Sequence, residues 1–188
     1  MKNDITAVIL AGGRGSRLGG VDKGLQALAG RPLIEHVLER IQPQVGTVLI
    51  NCNRNAERYA SYGLALIPDQ LPGFPGPLAG LHAALQVCDT SLLLTVPCDT
   101  PYLPEDLAFR LASALSDGEA TVAWTPQRQP VIALYRSKLL PRLETALAGG
   151  LRSVGGWLDS LDCRPAHFDD ANQAFSNLNT ADDWPRDC

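Results

Sequence analysis

The chain has 188 residues, of which 45% are hydrophobic and 19% are charged, so it can bury a hydrophobic core and is expected to fold as one domain spanning residues 1–188. Its net charge of -4 and its scattered lysines and arginines exclude nucleic acid as the main partner, because nucleic-acid-binding proteins present a basic face. No segment approaches the roughly 20 apolar residues that a membrane span needs, and the N-terminus lacks a signal-peptide stretch. We therefore expect a monomeric, cytoplasmic protein whose five cysteines are reduced.

Short apolar runs alternate with amphipathic stretches through the first half of the chain. Runs typical of buried strands occur at residues 7–10, 47–51, 64–67 and 91–96. Apolar residues at helical spacing predict helices at residues 32–41, 57–62 and 78–87. A loop rich in proline and glycine is predicted at residues 71–77. This β-α-β-α-β-α-β order predicts an α/β fold, with a mainly parallel sheet and helices on both of its faces.

The second half of the chain predicts a strand pair and further helices. Helices are predicted at residues 104–115, 139–147 and 154–161. Strands at residues 120–124 and 131–135 are predicted to pair across a polar turn, and a last strand is predicted at residues 164–168. Thr180 is a candidate cap for a final short helix.

Four strand ends are candidate positions for a ligand site. In open α/β sheets the ligand lies beyond the carboxyl ends of the parallel strands. In this chain those ends are residues 11–13, Asn51, Asp69 and residues 98–100. We therefore expect the functional side chains to come from these segments.

The segment over residues 10–24 is a glycine-rich loop that carries positive charge. Glycines allow backbone N–H groups to approach an anion closely, and Arg14, Arg17 and Lys23 can neutralise a triphosphate. The alternative is a flexible surface loop. Flexible linkers rarely combine so many glycines with cations directly after a buried strand, so the composition favours phosphate binding.

Two better-known glycine-loop motifs do not fit this segment. A Walker loop needs Gly-Lys-Ser/Thr, but Gly24 follows Lys23 here. A dinucleotide-binding fingerprint needs GxGxxG, and Leu18 stands where its third glycine should be. The second strand also ends in Asn51 rather than in the acidic residue that binds a ribose. A hydride-transferring Rossmann enzyme is therefore disfavoured.

Carboxylates and amides near the expected site have both functional and structural interpretations. Asp99 follows the most apolar strand and suits Mg²⁺, which proteins hold through one or two carboxylates together with substrate phosphate oxygens. A local turn or cap is the alternative for Asp99, and a plain structural loop is the alternative for Asp69. Asn177 and Asn179 point the same way if the chain is extended, so they are candidates for binding a metal, phosphate or polar second substrate. Capping of a helix by Asn179 or Thr180 is equally open.

Taken together, these motifs resemble those of the molybdenum cofactor guanylyltransferases. The matching segments are residues 10–23, 51–54, 75–80, 98–101 and 177–180. The double glycine Gly12-Gly13 is similar to the guanylyl enzymes, whereas cytidylyl and uridylyl relatives usually carry Ala-Gly there. The resemblance implies a three-layer Rossmann-like nucleotidyltransferase fold. It also implies transfer of GMP from GTP to the terminal phosphate of molybdopterin, giving molybdopterin guanine dinucleotide and pyrophosphate, with Mg²⁺ as cofactor.

The same resemblance implies roles for particular residues. Asp99, Lys23 and Arg17 are the expected catalytic residues, and Asp99 is also the expected metal ligand. The expected GTP-binding residues are Leu10, Ala11, Gly12, Gly13, Gly15, Lys23, Asn51, Asp69 and Asp99. Asn177 and Asn179 are candidates for the second substrate, and residues 129–135 are expected near the pterin. Other proteins of molybdenum cofactor biosynthesis are the expected partners.

Two other classes of protein stay open at the level of sequence. The first is a cytidylyltransferase or a sugar-phosphate nucleotidyltransferase of the same fold. The second is a non-catalytic GTP-binding protein, although the carboxylate of Asp99 beside the cations of the glycine-rich loop is more than binding alone requires.

Overall fold

The computed structural model describes residues 2–12, 22–71 and 76–178 and contains the predicted alternation of strands and helices. The strands are β1 Ile5–Leu10, β2 Ala27–Leu28, β3 Arg31–Pro32, β4 Thr47–Asn51, β5 Ala65–Ile67, β6 Leu92–Pro97, β7 Ala120–Trp124, β8 Arg128–Arg136 and β9 Cys163–His167. The helices are α1 Leu33–Ile41, α2 Ala56–Ala60, α3 Pro77–Val87, α4 Leu107–Leu115, α5 Leu140–Ala148 and α6 Val154–Asp159. The short helix predicted at Thr180 lies outside the described residues.

Seven of these strands form one sheet, in the order β5-β4-β1-β6-β8-β7-β9. The pairs β1–β4, β1–β6, β4–β5 and β7–β9 are parallel, and β8 is antiparallel to both of its neighbours. The prediction of a mainly parallel sheet is therefore confirmed. The predicted pairing of the strands at residues 120–124 and 131–135 is confirmed too: residues 120–122 pair with residues 133–135, and residues 123–124 pair with residues 128–129. A two-stranded hairpin of β2 and β3, which the sequence did not predict, lies outside this sheet.

Helices cover both faces of the sheet because side chains along each buried strand alternate between the two sides. On β1, Ala7 and Ile9 pack with buried residues of α1, α2 and α4, whereas Val8 packs on the opposite face with α3, α5 and α6. Each face is thus covered by its own apolar layer. This arrangement is a three-layer α/β fold with a mainly parallel sheet, as the sequence predicts.

The register of the sheet brings four strand ends into line. Leu10, the last residue of β1, lies opposite Asn51 on β4 and Pro97 on β6. Asn51 in turn lies opposite Ile67, the last residue of β5. The segments that follow these strands therefore leave the sheet side by side at its carboxyl edge.

The start of helix α4 differs from its prediction by a few residues. The helix was predicted to begin at residue 104, but it begins at Leu107, with Asp106 as the N-cap residue. The backbone N–H of Leu107 donates to Pro104 O in a preceding turn, and the N–H of Ala108 donates to Gln44 Oε1 at 2.8 Å. A distant side chain therefore satisfies the first turn of the helix, which local sequence cannot indicate.

No helix among the described residues is long and apolar enough to cross a membrane. The cysteines that the structure describes, Cys52, Cys88, Cys98 and Cys163, are free thiols.

Candidate active site

A cavity of about 280 Å³ opens at the carboxyl edge of the sheet, beyond β1, β4 and β6. Many of the predicted site residues line it, namely Leu10, Ala11, Gly12, Lys23, Asn51, Asp69, Asp99 and Asn177. Gly76, Pro77, Pro97, Cys98 and Val131 are the other described residues that line it. The predicted residues Gly13, Gly15, Arg17 and Asn179 lie outside the described part of the chain.

Lys23 and Asp99 face each other inside this cavity. Lys23 begins a 3₁₀ turn at Lys23–Leu25, and Asp99 follows β6. Lys23 Nζ donates to Asp99 Oδ2 at 3.0 Å, with the lysine side chain 30% exposed and the aspartate side chain 11% exposed. The site thus places a partly exposed cationic group and a nearly buried anionic group where a phosphate and a cation can meet them.

Asp69 is held by two asparagine side chains. Asn51 Nδ2 donates to Asp69 Oδ1 at 2.9 Å, and Asn53 Nδ2 donates to Asp69 Oδ2 at 2.7 Å. Asn53 also accepts from the backbone N–H of Asp69 at 2.8 Å and donates to Gly12 O at 3.1 Å. The carboxylate therefore has a fixed orientation, while each of its oxygens keeps capacity to accept from a ligand.

Asn53 is a site residue that the sequence interpretation missed, although its segment carried the family resemblance. Asn51 ends a strand, and residues two apart in an extended chain point the same way. That spacing alone could have placed Asn53 beside Asn51.

Two glycines allow the backbone to approach these asparagines closely. A Cβ on Gly12 would lie 2.8 Å from both Asn51 Oδ1 and Asn53 Nδ2. A Cβ on Gly80, in helix α3, would lie 2.4 Å from Asn51 Oδ1 and 2.6 Å from Leu10 Cδ2. Gly80 was not predicted as a site residue, yet it allows the first turn of α3 to pack against Asn51 and Leu10, which line the cavity.

The donor set fits a cation that is shared with a ligand. Within the described ranges, no group of three or more His, Cys, Asp or Glu side chains clusters to hold a metal. Two carboxylates line the cavity: Asp69 is held by Asn51 and Asn53, whereas Asp99 faces Lys23. Mg²⁺ is usually held in this way, by one or two carboxylates together with phosphate oxygens and water.

The thiol beside Asp99 is not a nucleophile. Cys98 lines the cavity but is buried, and burial raises the pKa of its thiol well above the usual range, with the charge of Asp99 adding to the effect. A protonated thiol reacts poorly. Cys98 is therefore a packing residue next to the site.

A second opening of about 570 Å³ adjoins the first cavity at Asn177. It is lined by Thr125, Pro126, Gln127, Gln129, Asn172, Phe175, Ser176 and Asn177. The backbone N–H of Leu178 donates to Asp99 O at 3.0 Å, so the segment that carries Asn177 is hydrogen-bonded directly to the backbone of Asp99. Asn177 thus lines both the cavity of Asp99 and a polar neighbouring space.

Comparison with known proteins agrees with this fold, which is that of a nucleotidyltransferase. The family described as MobA-like NTP transferase domain matches residues 7–162. The chain belongs to this family, whose curated relatives at 45–48% identity are named molybdenum cofactor guanylyltransferase.

Individual relatives match over nearly their whole length. The molybdenum cofactor guanylyltransferase of Ralstonia nicotianae is 47% identical, with 95% of this chain and 93% of the relative covered. That of Bordetella pertussis is 48% identical, with 95% and 94% covered. The crystal structure of molybdopterin-guanine dinucleotide biosynthesis protein A from Archaeoglobus fulgidus has a TM-score of 0.77 and 29% identity, covering 95% of this chain and 94% of that one. The 4-diphosphocytidyl-2C-methyl-D-erythritolsynthase from Anaerococcus prevotii shares the fold, with a TM-score of 0.74, 15% identity and coverage of 97% and 93%.

Proposed function

We propose that the chain transfers GMP from GTP to the terminal phosphate of molybdopterin, releasing pyrophosphate, and that its metal is Mg²⁺. The observation that carries this proposal is the cavity in which Lys23 faces Asp99 beside the Asn51–Asp69 pair, in a chain that belongs to the guanylyltransferase family. We further propose a single domain that acts as a monomer, with other proteins of molybdenum cofactor biosynthesis as partners.

The residues around Lys23 and Asp99 would act on the phosphates. Asp99 would hold Mg²⁺, which when bound neutralises charge on phosphate oxygens. The ammonium group of Lys23 would stabilise the charge that develops on the departing pyrophosphate, as would Arg17 and the backbone of residues 12–15. The attacking phosphate is already ionised, so the site needs to orient it rather than deprotonate it.

The remaining predicted residues would hold the nucleoside and the acceptor. Asp69, fixed by Asn51 and Asn53, would accept from guanine N1–H and N2–H₂ or from the ribose hydroxyls. Leu10 and Ala11 would pack against the nucleoside at the end of β1. Asn177 and Asn179 would bind the pterin substrate, which would enter from the second opening.

The first test of the proposal is isothermal titration with GTP, CTP, UTP and ATP in the presence of Mg²⁺, followed by pyrophosphate release with molybdopterin. Selective binding of GTP and release of pyrophosphate support the proposal. Preference for CTP would indicate a cytidylyltransferase, and GTP binding without pyrophosphate release would indicate a non-catalytic GTP-binding protein.

The Asp99→Asn variant tests the assignment of the metal ligand. It removes the charge that would hold Mg²⁺ while keeping the shape of the side chain, so we expect pyrophosphate release to be nearly abolished. Asp89→Asn is the matched control, because Asp89 is an exposed carboxylate before β6, at the opposite edge of the sheet. Pyrophosphate release at the wild-type rate by Asp99→Asn would refute the assignment.

A further inference from the structure

The carboxylate of Asp22 hydrogen-bonds to helix α2 and its N-cap residue rather than to the turn that Asp22 precedes. Asp22 is the N-cap residue of the 3₁₀ turn Lys23–Leu25, a position where aspartate commonly accepts from the backbone of its own turn. Its side chain makes no such bond. Instead, Tyr59 Oη donates to Oδ1 at 2.6 Å and Asn55 Nδ2 donates to Oδ2 at 2.9 Å. Both carboxylate oxygens therefore tie the residue before Lys23 to helix α2 and its N-cap residue.

The same tyrosine also packs against the turn itself. Gly24 is buried, and a Cβ there would lie 2.6 Å from Tyr59 Oη and 3.3 Å from Cys98 Cβ. The turn thus lies between the Tyr59 hydroxyl and the residue that precedes Asp99. Tyr59 is fully buried. Burial, together with its bond to Asp22, raises the pKa of the Tyr59 hydroxyl far above its usual range, so it remains a donor.

Of the four described residues Asp22, Lys23, Asn55 and Tyr59, it is Lys23 that lines the cavity. Within the described part of the chain, the lining of the cavity includes Lys23 but not Asp22, Asn55 or Tyr59. A lysine ammonium group on a four-carbon stem is mobile, and it stabilises a transition state only if it is directed to the reacting atoms. Its position 3.0 Å from Asp99 Oδ2 depends on where the backbone of the turn is held.

We propose that Asp22, Asn55 and Tyr59 form a clamp that positions Lys23, fixing its backbone so that its ammonium group points into the cavity toward Asp99 and the phosphates of GTP. The three are positioning residues that act through Lys23. This inference rests on the proposed function, because it gives Lys23 a task during nucleotidyl transfer.

A double-mutant cycle between Tyr59→Phe and Lys23→Ala tests the clamp, with kcat and the Kd for GTP in Mg²⁺ measured on all four proteins. We expect Lys23→Ala to lower kcat by roughly 10²–10³-fold. Tyr59→Phe should lower kcat about 10-fold and weaken GTP binding about 5-fold, because the ammonium group is displaced from its productive position. In the Lys23→Ala background, Tyr59→Phe should change either quantity by less than about 2-fold.

Further variants separate positioning from general stability. Tyr62→Phe is the matched control, since Tyr62 Oη donates to a carboxylate of Glu35 at 3.3 Å and neither residue lines the described cavity. It should leave kcat and Kd unchanged. Asp22→Asn retains an acceptor oxygen for Tyr59 and should keep more activity than Asp22→Ala. Asn55→Gly removes the amide donor while tolerating the left-handed backbone of Asn55, at φ 52°, and should resemble Tyr59→Phe.

The outcomes decide between the clamp and a purely structural role. The clamp is overturned if Tyr59→Phe has the same effect with and without Lys23, or if it lowers Tm and leaves both kcat and Kd unchanged. Failure of the wild type to release pyrophosphate counts against the proposed function alone. In that case, the same double-mutant cycle, measured through the Kd for GTP, still tests the clamp.

Discussion

Among the residues that the structure describes, Asn53 does most to fix the orientation of Asp69. Asn53 bonds both to the carboxylate of Asp69 and to its backbone N–H, and it also reaches Gly12 O on the neighbouring strand end. Asn51 supports the other carboxylate oxygen and is itself tied to Ile67 O at 3.0 Å. One amide therefore links the ends of β1 and β5 across β4, and the position of Asp69 depends on it.

We expect Asn53→Ala to weaken GTP binding by roughly 1–3 kcal/mol, because the bonds that fix Asp69 are lost. Asn53→Asp should weaken it further at pH 7, since it places a second carboxylate where a donor now lies 2.7 Å from Asp69 Oδ2. Titration calorimetry with GTP measures both effects. Asn3→Ala, in the turn before β1, is the control for loss of an exposed amide. If both Asn53 variants bind GTP as tightly as the wild type does, the assignment of Asp69 to the nucleotide site is wrong.

Sequence predicted the site residues that follow from chain position and missed those that depend on distant contacts. Asn51 ends a strand, and Asp69 and Asp99 follow strands, so the rule for parallel sheets places them together. The bond between Asp22 and Tyr59 joins residues 37 positions apart and has no periodic signal in the sequence. Such contacts arise only when helix α2 packs beside the turn of Lys23.

At the scale of elements, helix α3 packs closely against residues that line the cavity. It begins at Pro77, where proline suits a first helical turn, and every residue from Leu78 to Leu85 is buried. Its glycine at position 80 lets the helix lie directly against Asn51 and Leu10. The close approach of the helix and the orientation of Asn51 therefore both depend on the absence of a side chain at position 80.

We expect Gly80→Ala to weaken GTP binding although alanine favours a helix by roughly 1 kcal/mol over glycine. The added Cβ would lie 2.4 Å from Asn51 Oδ1, so either the helix or the amide must shift. Gly155→Ala in α6 is the matched control, because a Cβ there meets nothing within 4 Å. The control should raise the free energy of unfolding slightly and leave the GTP Kd unchanged. If Gly80→Ala behaves like Gly155→Ala, the contact with Asn51 is not required.

At the scale of the whole molecule, the first half of the fold was easier to predict than the second. Residues 47–51 were predicted as a strand and form β4 with those bounds, because strand and helix patterns alternate locally there. The insertion of β8 between β6 and β7, and the parallel pairing of β9 with β7, join segments far apart in sequence. Local patterns identify these strands but do not specify their neighbours, and the irregular register between Val122 and Ala123 has no local signal.

The second half of the chain is also held together by a carboxylate far from the site. Glu119 precedes β7, which runs parallel to β6 because both are antiparallel to β8, so it lies at the edge opposite the cavity. Glu119 Oε2 accepts from the N–H of Asp162 at 2.9 Å, and Arg142 Nη1 donates to both of its oxygens, at 2.6 Å and 2.8 Å. It thereby joins β7, α5 and the segment leading into β9.

This contact should make the stability of the protein depend on pH without affecting the site. The N–H of Asp162, and then Arg142, hold the pKa of Glu119 below its ordinary value of 4.5. A carboxyl group whose pKa is lowered by folding stabilises the folded state above its unfolded pKa, and this contribution is lost as the pH falls through the folded value. We expect Glu119→Gln to have a lower Tm than the wild type at pH 7, and the two Tm values to converge as the pH falls below 4.5 and through the lowered pKa of the folded state. Glu105→Gln, which removes a highly exposed partner of Arg40, should change Tm little at any pH.

Thermal unfolding between pH 3 and 7 measures these differences in Tm. A constant gap in Tm between Glu119→Gln and the wild type would show that the contribution of Glu119 does not come from its charge. The GTP Kd of Glu119→Gln at pH 7 should equal that of the wild type, because stability at this edge and binding at the other depend on separate groups.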